Sequence, residues 1–248
     1  MARYTSERRR LRRRAVYTHH KFDHAFPVET EPTLCYMVCA EPRSGSSLLC
    51  ELLCDTELAG APTEFFDREM MERFQAVWRA PSPERYLAAL MRKKTGPNGV
   101  FGFKVHYEQF SDVLAGSDID SMFGDLRLVH IGRRDRVRQA VSFARAIQTN
   151  QWASDHPARG APAFDRDLIA SCLERIESVA RGWERFFAER SASPLRIVYE
   201  DFAARPQETV EDVLRQLGIE FPAGLDLRPP TLDKQADSLS EQWVRRYG

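Results

Sequence analysis

No stretch of the chain approaches the roughly 20 consecutive apolar residues that a membrane-crossing helix needs, and no apolar segment of signal-peptide type follows its N-terminus. Both absences point to a cytoplasmic protein. Net charge is missing too: 36 basic side chains balance 36 acidic ones, which argues against a general nucleic-acid binder. The five cysteines are an odd number at no disulfide-framework spacing, as expected of reduced thiols. Cys35 and Cys39 fall on one face of an expected strand, and Cys50 and Cys54 lie one helical turn apart. With no His or Cys at ligand spacing nearby, these pairs read as small buried hydrophobes rather than a metal site. There is no internal repeat and no interior linker, so 248 residues, 43% of them hydrophobic, are expected to build one core.

Charge is nonetheless placed unevenly. Arg3, Arg8, Arg9, Arg10, Arg12, Arg13, Arg14 and Lys21 stand against a single acid, Glu7, so the rest of the chain is net acidic. Like charges in a block repel one another, and residues 1–30 read as a basic, flexible tail ahead of a domain over 31–248. Such a tail leaves peripheral contact with an anionic membrane surface open. His19 and His20, inside it, lack further ligands at metal spacing.

Four short apolar runs rich in β-branched and aromatic residues read as strands covered on both faces: 33–40, 100–107, 126–132 and 195–200. Amphipathic helices separate them. One begins with Ser82 as N-cap and Pro83 at its first position, and another ends at Gly218, a natural C′ residue. Long periodic segments over 135–148 and 167–190 complete the alternation. The expected fold is α/β, a central parallel sheet of about four to five strands flanked by helices. The stretch 153–163, with two prolines and a glycine, reads as a surface loop.

After the first strand comes "AEPRSGSSLLCELL", a loop of small residues opening a helix. Arg43-Ser44-Gly45-Ser46-Ser47 at such a junction aims backbone N–H groups and the positive end of a helix dipole at one point. Gly45 admits a close backbone approach, the serines add hydroxyl donors, and Arg43 adds a forked cation suited to phosphate or sulfate oxygens. The loop lacks the Gly-Lys-Ser/Thr ending of an NTP-binding P-loop, and no clear acidic strand end offers a Mg²⁺ ligand.

"PRSGSSLLCELL" resembles the 5′-phosphosulfate loop of sulfotransferases that use 3′-phosphoadenosine 5′-phosphosulfate (PAPS). Three further segments in the expected order extend the resemblance over about residues 33–247. "HIGRRDRVRQAVSFARAIQT" looks like the family's 3′-phosphate element, and "IVYEDFAARPQETVEDVLRQLGI" like its "YEDL…P" segment. "APTEFF" and the terminal "LDKQADSLSEQWVRRY" are similar to the trehalose 2-sulfotransferase-like (Stf0) branch.

The resemblance implies a P-loop-like sulfotransferase fold and PAPS as co-substrate, with no metal. Ser44, Gly45, Ser46 and Ser47 would hold the 5′-phosphate, and Arg133 with Ser142 the 3′-phosphate. Arg134 competes with Arg133 for that place, while Arg136, Arg138 and Arg145 read as a solvated helix face. Tyr199 matches a tyrosine that contacts adenine, and Lys234 lies where the family has a nucleotide-covering loop. Arg43 would stabilise the leaving phosphate, and Lys104, at a strand's C-terminal end, would face the sulfuryl group. Glu64 would take the acceptor's proton, with burial against Phe65 and Phe66 expected to raise its pKa. His106, in "KVH", is the rival base. The acceptor would be a carbohydrate or glycolipid hydroxyl, although Ala61 stands where the trehalose branch places an acid. A homodimer is implied by the resemblance alone. A P-loop-like kinase, or a non-catalytic protein of the same fold, are the alternatives.

Overall fold

The computed structural model describes residues 26–152, 157–222, 224–229 and 237–248. Lys234, His19, His20 and the arginine block lie outside the described residues. Strands β1 (Leu34–Ala40), β2 (Val100–His106), β3 (Arg127–Gly132) and β4 (Leu195–Val198) form one sheet in the order β2-β1-β3-β4. Every neighbouring pair is parallel, so the strands must be joined by crossovers, and helices fill them. In chain order these are α1 (Ser46–Asp55), α2 (Arg68–Trp78), α3 (Pro83–Lys94), α4 (Tyr107–Val113), α5 (Ile119–Phe123), α6 (Arg136–Thr149), α7 (Arg166–Glu189), α8 (Tyr199–Ala204), α9 (Pro206–Gln216) and α10 (Ser238–Tyr247).

Strand alternation sorts the core into two layers. Cys35, Met37 and Cys39 of β1 join Phe101, Phe103 and Val105 of β2 in an aromatic cluster completed by Phe65, Phe66 and the α7 residues Trp183, Phe186 and Phe187. Tyr36, Val38 and Ala40 face the other way, against Leu49, Leu52 and Leu53 of α1 and Val210, Val213 and Leu214 of α9. Both faces are thus covered, as nearly continuous apolar strands require. Gly102 lies where any side chain would collide with the Tyr36 ring, whose hydroxyl donates to the Ala59 carbonyl at 2.8 Å. Ser82 caps α3 and Gly218 follows α9 with φ 72°, as the turn chemistry demands.

Two strands stop short of the carboxyl ends of their apolar runs. The fourth stops at Val198 and the second at His106, because Tyr199 and Tyr107 open helices. The arginines read as a solvated face are not one. Arg138 pairs with Asp135 and Glu241, and Arg145 with Asp237 at 2.6 Å, so they fasten α10 onto α6, while Arg136 reaches back to Glu41. Trp243 of α10 is buried in the same junction with Val141 and Ile169. Glu29 and Thr30 are also held, by Lys93 and the Arg92 carbonyl of α3.

β1 has β2 on one side and β3 on the other, so the chain diverges at its carboxyl end. In an open parallel sheet that divergence leaves a crevice where ligands bind. The residues 41–47 fill its floor.

Candidate active site

The crevice floor is bent by two left-handed residues. Arg43 has φ 59° and Gly45 φ 80°, and between them the Ser44 hydroxyl donates to the Glu41 carbonyl at 2.7 Å. A Cβ on Gly45 would lie 2.5 Å from the Tyr199 ring, so that ring occupies the space the glycine leaves. Arg43 extends across the crevice, with Nε donating to Ser142 Oγ at 3.0 Å and a terminal nitrogen donating to the Trp152 carbonyl. Burial, and then the neighbouring Arg133, push the Arg43 guanidinium down to about 10. It stays a cation at neutral pH, one held beside a like charge out of water.

Arg133 follows β3 directly. Its guanidinium carbon sits 4.6 Å from the Tyr199 ring centroid, and Nε donates to Glu200 Oε1 at 3.3 Å. Glu200 also accepts from the backbone N–H groups of Arg134 and Asp135, which together with Arg133 hold its carboxyl below the usual range despite some burial. The two adjacent arginines therefore part: Arg133 turns inward with its side chain 8% exposed, whereas Arg134 is 63% exposed and pairs with Asp201. Ser142, one α6 face away, meets Arg43 rather than a group on β3.

On the β2 side, Lys104 and His106 point the same way because they are two residues apart in a strand. Lys104 Nζ donates to Ser47 Oγ at 3.0 Å, on the first turn of α1, and pairs with Glu64 Oε1 at 2.6 Å. The Lys104 backbone N–H donates to the Thr63 carbonyl at 2.9 Å, which stitches the segment carrying Glu64 to β2. Glu64 is not in a helix: α2 starts four residues later with Asp67 as its cap. Its other oxygen accepts from Gln109 Nε2 at 3.0 Å, and His106 Nε2 lies 3.7 Å from Oε1. The His106 Nδ1 lies 3.3 Å from the Ala40 carbonyl. A carbonyl only accepts, so Nδ1 carries hydrogen, and Nε2 presents a hydrogen toward Glu64 when the ring is charged and a lone pair when it is neutral.

The expected rise in the Glu64 pKa is overturned. Burial does push it up, but Lys104 first and His106 second outweigh burial and hold the carboxyl well below the usual carboxylate range. Phe65 and Phe66 turn away into the core, where Phe65 stacks on Phe101 at 6.3 Å and Phe66 meets Phe103 edge-on.

Three parts of the site went unread in the sequence. Glu41, fully buried, pairs through both oxygens with Arg136 and accepts from Gln139, which also donates to the Pro42 carbonyl at 2.7 Å. This ties the loop to the start of α6. Glu200 and Gln109 are the others. Gln109 had a signal: it stands three residues after a strand's last residue, where a capping-box glutamine belongs. Among the described residues no group of three or more His, Cys, Asp or Glu side chains is placed to hold a metal ion.

A loop of N–H and hydroxyl groups, two arginines beside it and a lysine-paired carboxylate thus meet at the carboxyl end of the parallel sheet. The chain belongs to the Stf0 sulphotransferase family, whose model matches residues 35–248, and it is a sulfotransferase. It is 33% identical to trehalose 2-sulfotransferase of Mycolicibacterium smegmatis (86% of this chain, 93% of that one) and 29% identical to the enzyme of the same name from Mycobacterium tuberculosis, with the same coverage. Among solved structures it is similar to the sulfotransferase domain of the Synechococcus PCC 7002 olefin synthase, with 16% identity and a TM-score of 0.47 over 89% of this chain and 96% of that one.

Proposed function

We propose that the protein transfers the sulfuryl group of PAPS to a hydroxyl of a carbohydrate or glycolipid. The observation that carries this is the pairing of Arg43 and Arg133 around Gly45 and Ser142. Burial and the neighbouring Arg133 lower Arg43, and burial lowers Arg133 against the opposing pull of Tyr199 and Glu200, so an anion between the two would relieve the like charge, and a donor with phosphate at both its 5′ and 3′ positions supplies one. Ser47 is exposed at the start of α1, and its hydroxyl, which accepts from Lys104, keeps its own hydrogen to donate to such a ligand. Ser44 spends its hydroxyl on the loop itself, so its contribution is its backbone N–H. Inward-facing Arg133, rather than solvated Arg134, suits the 3′-phosphate.

In the transfer, the acceptor oxygen bonds to sulfur while the bond from sulfur to the bridging oxygen breaks and its electron pair stays on the departing phosphate. Arg43 and Lys104 supply cations where that charge grows. Glu64 takes the acceptor's proton. Its low pKa keeps it ionised and ready but makes it a weak base while Lys104 is bound. Lys104 bridges Ser47 and Glu64, so its attraction to charge on the donor side would weaken its hold on the carboxylate and strengthen the base. His106, which when neutral turns an Nε2 lone pair toward the same place, is the second candidate for that proton.

The names of the two mycobacterial relatives point to a sugar hydroxyl, and trehalose is one acceptor to test among several. Thermal shifts with nucleotides test the donor. Stabilisation by 3′-phosphoadenosine 5′-phosphate above that by ATP·Mg is expected, and the reverse order would sink the proposal. Labelled PAPS offered with trehalose, other disaccharides and glycolipids then reads the acceptor directly.

A further inference from the structure

We infer that Gln109 is the positioning residue for proton abstraction, holding both candidate bases with one amide. Its Nε2 donates to Glu64 Oε2 at 3.0 Å, and its Oε1 accepts the backbone N–H of His106 at 3.0 Å. An amide is the side chain that can do both, because it pairs a donor with an acceptor on one planar group. The location fits the task. Gln109 lies in the first turn of α4, which begins immediately after His106, so helix and strand end move as one piece. Glu64 sits in a non-helical segment anchored at Thr63, and a carboxylate there would rotate about its last torsion if only one oxygen were held. Lys104 grips Oε1 and Gln109 grips Oε2, which fixes the plane of the carboxylate. When Lys104 is drawn toward the donor, Gln109 is the contact that keeps Glu64 in place.

The inference rests on Glu64 as base, and the variants separate the two. Gln109→Glu keeps the acceptor for His106 N–H but replaces the donor with a second carboxylate facing Glu64. Loss of a hydrogen bond to a charged group predicts a kcat lower by roughly tenfold to a hundredfold near neutral pH. The donor's KM is expected to be unchanged. The Glu64 carboxyl, followed by carbon-13 NMR with its resonance assigned from Glu64→Gln, should titrate at higher pH than in the parent. The acid limb of kcat should move upward with it, since like charges disfavour ionisation. Gln109→Leu, should the charged variant fold poorly, must show the kcat loss with an unchanged KM for the donor. A titration and a kcat within twofold of the parent would overturn the positioning role. Activity surviving in Glu64→Gln would remove Glu64 as base and overturn the inference with it, whereas loss of activity there beside parent-like Gln109 variants would overturn the positioning role alone.

Discussion

At the scale of single residues, the proposed transfer turns on where Lys104 spends its charge. It is 3% exposed and bridges the donor loop to the carboxylate of Glu64. The folded-state pKa of Glu64 is depressed, so its ionised form persists as pH falls through the ordinary carboxylate value and is lost only below it. If Glu64 is the base, the acid limb of kcat should lie below about 4.5, the ordinary carboxylate value, and a limb above that value would take the proton away from Glu64. Lys104→Met removes the largest cause of the depression and leaves burial, which acts upward, so the limb should climb to higher pH as kcat falls. Glu64→Gln should lower kcat by roughly a hundredfold or more while binding of 3′-phosphoadenosine 5′-phosphate is retained. Turnover like the parent's would exclude Glu64, and His106→Ala assayed beside it decides between the two.

Among the elements, α6 organises most of the site. Its start is joined to the donor loop through Glu41, Arg136 and Gln139, its middle presents Ser142, and its outer face receives α10 through Arg138 and Arg145. Asp237, the cap of α10, is held down to about 2 by its bonds to Arg145, with burial opposing and the Ser240 N–H assisting. A depressed carboxylate contributes stability that is present above its unfolded value near 3.8 and lost as pH falls toward 2. Hydrogen exchange in α10 is therefore expected to accelerate over that interval ahead of exchange in β1. Asp237→Asn should show the faster exchange already at neutral pH, and protection equal to the parent's would refute the clamp. Strands, α3 and the end of α9 were legible because each carries its own local signal: an apolar run, a Ser-Pro start, a glycine stop. The arginines of α6 were not, since Arg136, Arg138 and Arg145 have partners 95, 103 and 92 residues away that helical periodicity cannot register. Likewise Glu64 and Lys104 were nameable from motifs, but the low pKa that follows from their 2.6 Å contact required the register of β2 against the segment before α2.

For the molecule as a whole, a neutral total conceals a division between an arginine block near the N-terminus and a net acidic remainder. Among the described residues no helix is long and apolar enough to cross a membrane. Charge offers a route to a bilayer surface, since each Lys or Arg near anionic lipid contributes about 1 kcal/mol. The six arginines Arg8, Arg9, Arg10, Arg12, Arg13 and Arg14 are enough for measurable adsorption if they reach the lipid together. The residues proposed for the transfer all lie between Glu41 and Glu200, around the four strands of the sheet. A chain beginning at Phe26 should therefore keep the parent's melting temperature and its kcat on a soluble sugar. The full chain should sediment with vesicles containing phosphatidylserine and be released as salt rises and the Debye length falls below about 8 Å. The shortened chain should stay in the supernatant. Equal sedimentation of both would place any membrane affinity elsewhere, and a fall in kcat on removing the tail would make those residues part of the catalytic domain.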